Sequence, residues 1–377
     1  MKYTSSRKGK WLAWLAVASA LLLLFPLSGL CCTSVIISAS KSPSGRPLML
    51  KHRDTSKPYN HLEWFCGERY PFIGLVNYDW RTAPVGKDAK AAAEVWSGMN
   101  TEGFCIMNTA AYDFNDDDVP LNKMDSEGYL MYRALELCRS ISDFETLLDT
   151  LSRPLGVEAN FGVIDAFGGA AYYEVGNYRK VKFDVNSDEK GYMVVTNFTR
   201  TGRVEDRKGV DRFERASEIM ESFFTDAFPK GPAPAIIDRI SRSGAPISRK
   251  ITTCSLVFEG VAPGDNPAHA VMWTALGPPE SSVAFPVLCC DGYIPSYLSG
   301  TSDNGISQLC LDAVRLRYSG VRGAADAVEY RNCSLFNPVW SDWCEGRISD
   351  SAFRSYYKYF CNEAWKTYKY VMGPLLR

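Results

Sequence analysis

The feature that most constrains this chain is a cysteine at the start of a β-strand pattern, directly after a long apolar run. Residues Trp11 to Leu30 are mostly apolar, and Cys32-Thr33-Ser34-Val35-Ile36-Ile37 begins a β-branched stretch. Processing between Cys31 and Cys32 would leave Cys32 with a thiol and a free α-amine. The reference pKa of an α-amine is about 7.7–8.0, so near neutral pH part of it is an unprotonated base. Such an amine can activate the side chain of its own residue as a nucleophile.

Residues Met1–Cys31 have the composition of a secretion signal. Four cations precede the apolar run: Lys2, Arg7, Lys8 and Lys10. The run is long enough to span a bilayer, so an uncleaved membrane anchor is the alternative. Gly29 and Cys31 as small residues favour cleavage after Cys31, whereas Leu30 fits a lipid-modified Cys31 poorly. We therefore expect export to the periplasm, the cell surface or the extracellular space.

Charge and composition exclude two kinds of function. The chain of 377 residues has a formal net charge of −1, which becomes more negative once the four signal cations are removed. No basic stripe is present, which argues against nucleic acid as a partner. The twelve cysteines include no C-x-x-C pair, and the three histidines form no zinc pattern. We therefore expect no metal site.

The hydrophobic pattern predicts an α+β fold with two sheets between helical layers. Strands are predicted at Cys32–Ala39, Leu48–Arg53, Phe72–Asn77, Glu94–Met99, Gly103–Thr109, Asn160–Ala166, Ala170–Val175, Lys180–Val185, Tyr192–Asn197, Ile251–Val261, Ala268–Leu276 and Val283–Leu288. Helices are predicted at Ser126–Ser140, Phe144–Leu151, Arg212–Phe224, Pro232–Arg242 and Ser349–Met372. We expect one domain over residues 32–345, with 346–377 as an aromatic-rich helix packed on it.

The second predicted strand ends in Lys51-His52-Arg53-Asp54. Antiparallel pairing of the first two strands would bring Asp54 and a cation close to Cys32. Asp54 could then orient the α-amine, and the cation would favour the thiolate. The alternative interpretation is a charged strand end that faces solvent.

Two asparagines lie at the ends of later strands, Asn108 and Asn197. Each is either a turn residue or a functional amide. Asn197-Phe198-Thr199 and Asn332-Cys333-Ser334 also match the glycosylation acceptor pattern, and a glycan on Asn197 would exclude a catalytic role. The acidic run 113–118 is interpreted as a solvated loop.

In this order the motifs resemble the N-terminal-nucleophile hydrolases that cut linear amide bonds. That group includes choloylglycine hydrolases, penicillin V acylase, acid ceramidase and isopenicillin N acyltransferase-like enzymes. The resemblance is carried by Cys-Thr-Ser at the processed start, Asp54, Gly98-Met99-Asn100-Thr101-Glu102-Gly103 and Val194-Val195-Thr196-Asn197-Phe198. It extends from Cys32 to about Pro286, and Thr252-Thr253-Cys254-Ser255 favours the acyltransferase-like members. It implies a four-layer αββα sandwich.

The resemblance also implies roles for individual residues. Cys32 would be the nucleophile, its α-amine the general base and Asp54 the group that holds this amine. The side-chain amide of Asn197 and the backbone N–H of Asn108 would donate to the oxyanion.

The cations near the nucleophile follow the same resemblance, with one departure. Arg212 matches an arginine at a helix start near the nucleophile, and Arg215, one turn later, is its competitor. Lys51 takes the place of an arginine in the family pattern. Either Lys51 or Arg53 could therefore serve as the cation beside the thiol.

The implied activity is cleavage of a linear amide C–N bond through a thioester on Cys32, with acyl transfer to another amine left open. The scheme needs no metal or organic cofactor, and its partner is a small-molecule amide. N-acyl amides, conjugated bile-acid-like amides, penicillin-like amides and short peptides all stay open, as does a homo-oligomer. A papain-like hydrolase is disfavoured because no histidine has a recognisable context. The alternative class is an exported or membrane-anchored ligand-binding protein without catalysis.

Overall fold

The structure, a computed structural model, describes residues 31–79, 94–115, 117–225, 231–289, 292–300 and 305–377. Two antiparallel sheets form its centre. Sheet A has the strand order β10-β1-β2-β11-β12-β13, and sheet B runs from β3 to β9 in chain order. The strands of sheet A are β1 Cys32–Ile37, β2 Leu48–Asp54, β10 Tyr192–Val195, β11 Thr252–Glu259, β12 Val271–Leu276 and β13 Phe285–Leu288. Those of sheet B are β3 Asn60–Phe65, β4 Phe72–Asn77, β5 Ser97–Asn100, β6 Cys105–Ala110, β7 Ala159–Ile164, β8 Ala170–Val175 and β9 Lys180–Asp184.

Helices cover the outer face of each sheet. The α-helices in the described ranges are α1 Glu127–Leu137, α2 Ile141–Thr150, α3 Val210–Thr225, α4 Pro232–Ile236, α5 Gln308–Arg315, α6 Arg322–Cys344 and α7 Asp350–Met372. Helices α1 and α2 share a core with sheet B, whereas α3 to α7 share the larger core with sheet A. The arrangement is a four-layer αββα sandwich, which confirms the predicted α+β class.

Strand β1 lies inside sheet A, between β2 and β10. Its apolar residues Val35, Ile36 and Ile37 are buried, as expected for a strand covered on both faces. Cys32 is paired directly with Arg53 of β2. The first residue of β1 is therefore paired with β2 alone, whereas pairing with β10 begins at Ser34.

The predicted strands and helices are present with shifted ends, and three of the strands and α-helices in the described ranges were not predicted. These are β3, α5 and the 23-residue helix α6. Two other predictions were too long. The strand predicted from Glu94 begins at Ser97. The α-helix predicted from Pro232 ends at Ile236 and is followed by a short π-helix, Ile237–Ser241.

The last helix, α7, packs its aromatic side chains into the larger core. Phe353 stacks on Trp343 of α6 at a ring-centroid distance of 4.0 Å, and Tyr357 and Tyr368 are buried. Among the helices of the described ranges, none combines the length and the apolar character needed to cross a bilayer.

Candidate active site

Cys32 is at the first residue of β1 and is almost completely buried, with 5% of its surface exposed. Directly opposed residues on antiparallel strands project to the same face of a sheet. The pairing of Cys32 with Arg53 therefore places thiol and guanidinium on one face. Lys51 lies two residues earlier on β2 and shares this face.

Asn197 and Arg212 hold the backbone of Cys32. The Cys32 N–H donates to Oδ1 of Asn197 at 2.7 Å, and Nη2 of Arg212 donates to the same oxygen at 2.7 Å. Nη1 of Arg212 donates to the carbonyl of Cys32 and, at 3.2 Å, to Oγ1 of Thr33. Arg212 is only 2% exposed. The two residues fix Cys32 from both sides of its peptide.

The local sequence explains why Arg212 reaches this point. Gly209 has a φ of 78°, which favours glycine, and its carbonyl accepts a hydrogen bond from Thr196 Oγ1 at 3.0 Å. Helix α3 begins at the next residue, so Arg212 lies in its first turn. Arg215, the predicted competitor, pairs instead with Glu218 on the exposed side of α3.

The loop after Asn197 is held by Asp113. Both carboxylate oxygens of Asp113 accept from the Thr199 N–H, at 2.9 and 3.0 Å. Asp113 is buried, so the solvated loop predicted for the acidic run is wrong at this residue. Its carboxylate has a structural function because it fixes the segment that carries Asn197.

Lys51 is a buried cation on the same face as the thiol. Burial lowers the pKa of Lys51, and its interaction with the neighbouring Cys32 partly opposes this shift. Nζ of Lys51 also donates to the carbonyl of Asn108 and, at 2.8 Å, to its Oδ1. Both oxygens of Asn108 thus accept hydrogen bonds from Lys51. That the backbone N–H of Asn108 donates to the oxyanion stays a prediction.

Asp54 lies in a separate polar cluster. Its Oδ2 accepts from Nη2 of Arg249 at 2.8 Å, its Oδ1 accepts from Thr252 at 2.6 Å, and His52 lies 3.5 Å away. Burial alone would raise the pKa of Asp54, but His52, Thr252 and Arg249 outweigh it and hold this pKa below its ordinary value. The Cys32 nitrogen donates to Asn197, so the role predicted for Asp54 stays a prediction.

Arg53 lies beside Cys32 on β2, whereas Asn197 follows β10 on the other side of β1. Nη2 of Arg53 donates to Oδ1 of Asn77 at 3.0 Å, and its guanidinium lies 5.1 Å from the ring centroid of Trp96. Asn77 and Trp96 belong to the β4 and β5 region of sheet B and were missed by the sequence analysis. No sequence motif marks them, because sheet packing alone brings them to Arg53.

These residues line a cavity of about 440 Å³ that reaches Cys32. Its wall also includes Ala110, Tyr112, Met124 and Glu158. Two carboxyl groups on this wall are strongly affected by burial, which raises the pKa of Glu94 and of Glu127 to about 7. The wall of the cavity therefore combines cations beside Cys32 with several carboxyl groups.

Both sequon asparagines are completely buried. Asn197 and Asn332 are each 0% exposed, Asn197 at the site and Asn332 within α6. A glycan needs an exposed asparagine, so neither residue can carry one in this folded structure.

Comparisons with known proteins give structural similarity only. No protein-family model and no curated protein matches the chain. A Caenorhabditis elegans N-acylethanolamine-hydrolyzing acid amidase aligns with a TM-score of 0.44 and 13% identity, over 60% of this chain and 92% of that one.

Two further solved structures are similar at the same level. Penicillin V acylase from Agrobacterium tumefaciens aligns with a TM-score of 0.42 and 13% identity, over 69% of this chain and 87% of that one. A mutant of conjugated bile acid hydrolase from Clostridium perfringens has a TM-score of 0.40 and 11% identity, over 68% of this chain and 92% of that one. Both kinds of protein were named by the sequence resemblance.

Proposed function

We propose that the chain is an exported cysteine hydrolase that cuts linear amide C–N bonds through a thioester on Cys32. The observation that carries this proposal is the convergence of three buried side chains on one residue at the start of a central strand. Lys51 interacts with the thiol, Asn197 and Arg212 bind the peptide of Cys32, and Cys32 lines a cavity. A cysteine kept only for packing needs none of these polar contacts.

The reaction would proceed in two halves. Removal of Met1–Cys31 frees the α-amine of Cys32, which takes the thiol proton. The nearby ammonium of Lys51 stabilises the resulting thiolate, whose sulfur then attacks the amide carbon. The side-chain amide of Asn197, with the backbone N–H of Asn108, donates to the oxyanion.

Collapse of the tetrahedral intermediate breaks the C–N bond. The α-ammonium returns its proton to the departing nitrogen, which leaves as an amine, and the acyl group stays on sulfur as a thioester. Water then attacks the thioester, again with the α-amine as base, and releases a carboxylic acid and the thiol. A second amine in place of water would give acyl transfer instead.

The decisive experiment determines the N-terminus of the exported protein and then tests whether amide substrates acylate the thiol. The intact mass of the exported protein should correspond to a chain that begins at Cys32 with an unmodified amine. A panel of amides should then give a mass increase equal to the acyl group, located on Cys32. Cys32→Ser should abolish turnover of every amide in the panel.

Cys254→Ser is the matched control. Cys254 is also buried, and it pairs with Arg53 from β11, the strand on the other side of β2 from β1. It should keep most of the activity. A mature chain with a lipidated Cys31, or full turnover by Cys32→Ser, would contradict the proposal.

A further inference from the structure

Arg53 carries a buried N–H group that has no hydrogen-bond partner in the described part of the chain. One side of its guanidinium is occupied, since Nη2 donates to Asn77 at 3.0 Å. Nη1 is buried and has no hydrogen-bond partner among the described residues. Arg53 is 4% exposed. A buried charged donor left without an acceptor is costly, so this position is suited to an acceptor that arrives with a ligand.

The surroundings hold Arg53 in a fixed orientation. The guanidinium lies over Trp96 and is tied to Asn77, and all three residues line the cavity that reaches Cys32. A planar guanidinium fixed in this way binds carboxylates with good geometry. Lys51, the neighbouring cation, already donates to the two oxygens of Asn108.

The position of Arg53 limits where an anion can lie in the substrate. Cys32 and Arg53 are directly opposed on neighbouring antiparallel strands, so their side chains leave the sheet on the same face. Both residues line the same cavity, and the charge of Cys32 acts on Arg53. An anion held by Arg53 therefore lies in the cavity that receives the carbonyl carbon attacked by Cys32.

The other charged residues of the cavity wall do not supply the acceptor for Arg53. Glu94 is the carboxyl group that acts on Arg53 through its charge, but no ion pair joins the two in the part of the chain that is described. Lys57, another cation on the wall, is paired with Asp79 at 2.5 Å and is half exposed. Among the described residues of this wall, Arg53 is thus a buried cation with an N–H donor that has no acceptor.

We propose that Arg53 binds the carboxylate of an amino acid whose nitrogen forms the scissile amide. The substrates are then N-acyl amino acids with a free α-carboxylate, which lies two bonds from the amide nitrogen. This inference rests on the proposed function, because it names the substrate class of the same site.

The test compares an N-acyl amino acid with its neutral C-terminal carboxamide. The wild-type protein should show a kcat/KM about 10- to 100-fold higher for the carboxylate, as expected for one charge-assisted hydrogen bond. Arg53→Gln should remove this preference, mainly through KM for the carboxylate, so the ratio of the two kcat/KM values should approach one. Lys57→Gln removes one cavity charge without removing the proposed contact, so it should retain the preference.

Equal turnover of both substrates by the wild-type protein would overturn the inference, and so would an equal loss on both in Arg53→Gln. A binding measurement separates this failure from failure of the proposed function. In Cys32→Ser, calorimetry should show tighter binding of the carboxylate than of the carboxamide, whether or not the wild-type protein catalyses. Equal affinities there would also overturn it, even if Arg53→Gln does not fold.

Discussion

Asn197 combines an acceptor that holds the nucleophile with an amide that is proposed to act on the substrate. Its Oδ1 accepts from Cys32 and Arg212, while its Nδ2 donates to the carbonyl of Ala110 at 2.6 Å. The two functions are chemically separable, because an aspartate keeps the acceptor and loses the amide donor.

Asn197→Ala should lower kcat by about 10²–10³, the usual loss for one oxyanion donor. Asn197→Asp should lower kcat by the same factor, although a carboxylate oxygen can still accept hydrogen bonds from Cys32 and Arg212. Steady-state kinetics on both variants, with circular dichroism to confirm folding, check this prediction. An Asn197→Asp variant close to wild type would show that Asn197 only positions Cys32.

Lys51 should control the reactivity of the thiol. Lys51→Met removes the ammonium that interacts with Cys32, so the rate of alkylation by iodoacetamide at pH 7 should fall by at least about tenfold. Mass spectrometry of the Cys32 peptide over time gives this rate. Lys57→Met is the control, since Lys57 lines the same cavity but pairs with Asp79. Equal alkylation in the Lys51 and Lys57 variants would argue against the assignment.

At this scale the sequence predicted the residues better than their contacts. The motif order was enough to select Cys32, Asn197 and Arg212, which the structure brings together. The bond between Asp54 and Arg249 was missed, because 195 residues separate them and only the pairing of β2 with β11 brings them close.

At the level of elements, the turn between β10 and α3 determines where Arg212 points. A Cβ at Gly209 would lie 2.0 Å from Nη2 of Arg212, and the φ of 78° already disfavours any other residue. The turn and the arginine therefore depend on each other.

Gly209→Ala should destabilise the protein by about 1 kcal/mol or more through backbone strain, and should also lower kcat, because Arg212 must leave Cys32 or Asn197. Gly244 provides a matched control: it has the same φ of 78°, and a Cβ there would meet nothing within 4 Å. Gly244→Ala should lower stability while kcat stays unchanged. Chemical denaturation and steady-state kinetics on both variants separate the two effects.

The elements that were missed differ physically from those that were predicted. Helix α6 contains Pro338 and buries residues against both the core of sheet A and α7, so its apolar residues do not form a single stripe. Strand β3 combines polar and aromatic residues, since Asn60 and His61 are buried in polar contacts. Periodicity detects one-sided burial, and these elements are buried in other ways.

For the whole molecule, the buried carboxyl group of Glu127 predicts how stability depends on pH. Its pKa is raised to about 7 by burial, against an ordinary value of 4.5, so the folded state keeps this proton where the unfolded state has released it. Stability therefore falls as pH rises from 4.5 to 7, and the contribution of Glu127 is about 3 kcal/mol.

Glu127→Gln should remove this contribution, because a glutamine oxygen can still accept the hydrogen bond that the Glu158 N–H donates at 2.9 Å. Urea denaturation of the wild-type protein and the variant at pH 5 and pH 8 gives the comparison. If the free energy of unfolding of Glu127→Gln changed between pH 5 and pH 8 as much as that of the wild-type protein, Glu127 would be ionised in the folded state.

The layers that build the cavity also suggest how its selectivity could be changed. Cys32, Lys51 and Arg53 come from sheet A, whereas Trp96, Met124 and Glu127 reach the cavity from sheet B and the segment around the start of α1. A library restricted to this second group would alter the shape of the cavity without replacing a residue that touches the thiol. Enzyme redesign could then search for new acyl preferences on an unchanged nucleophile.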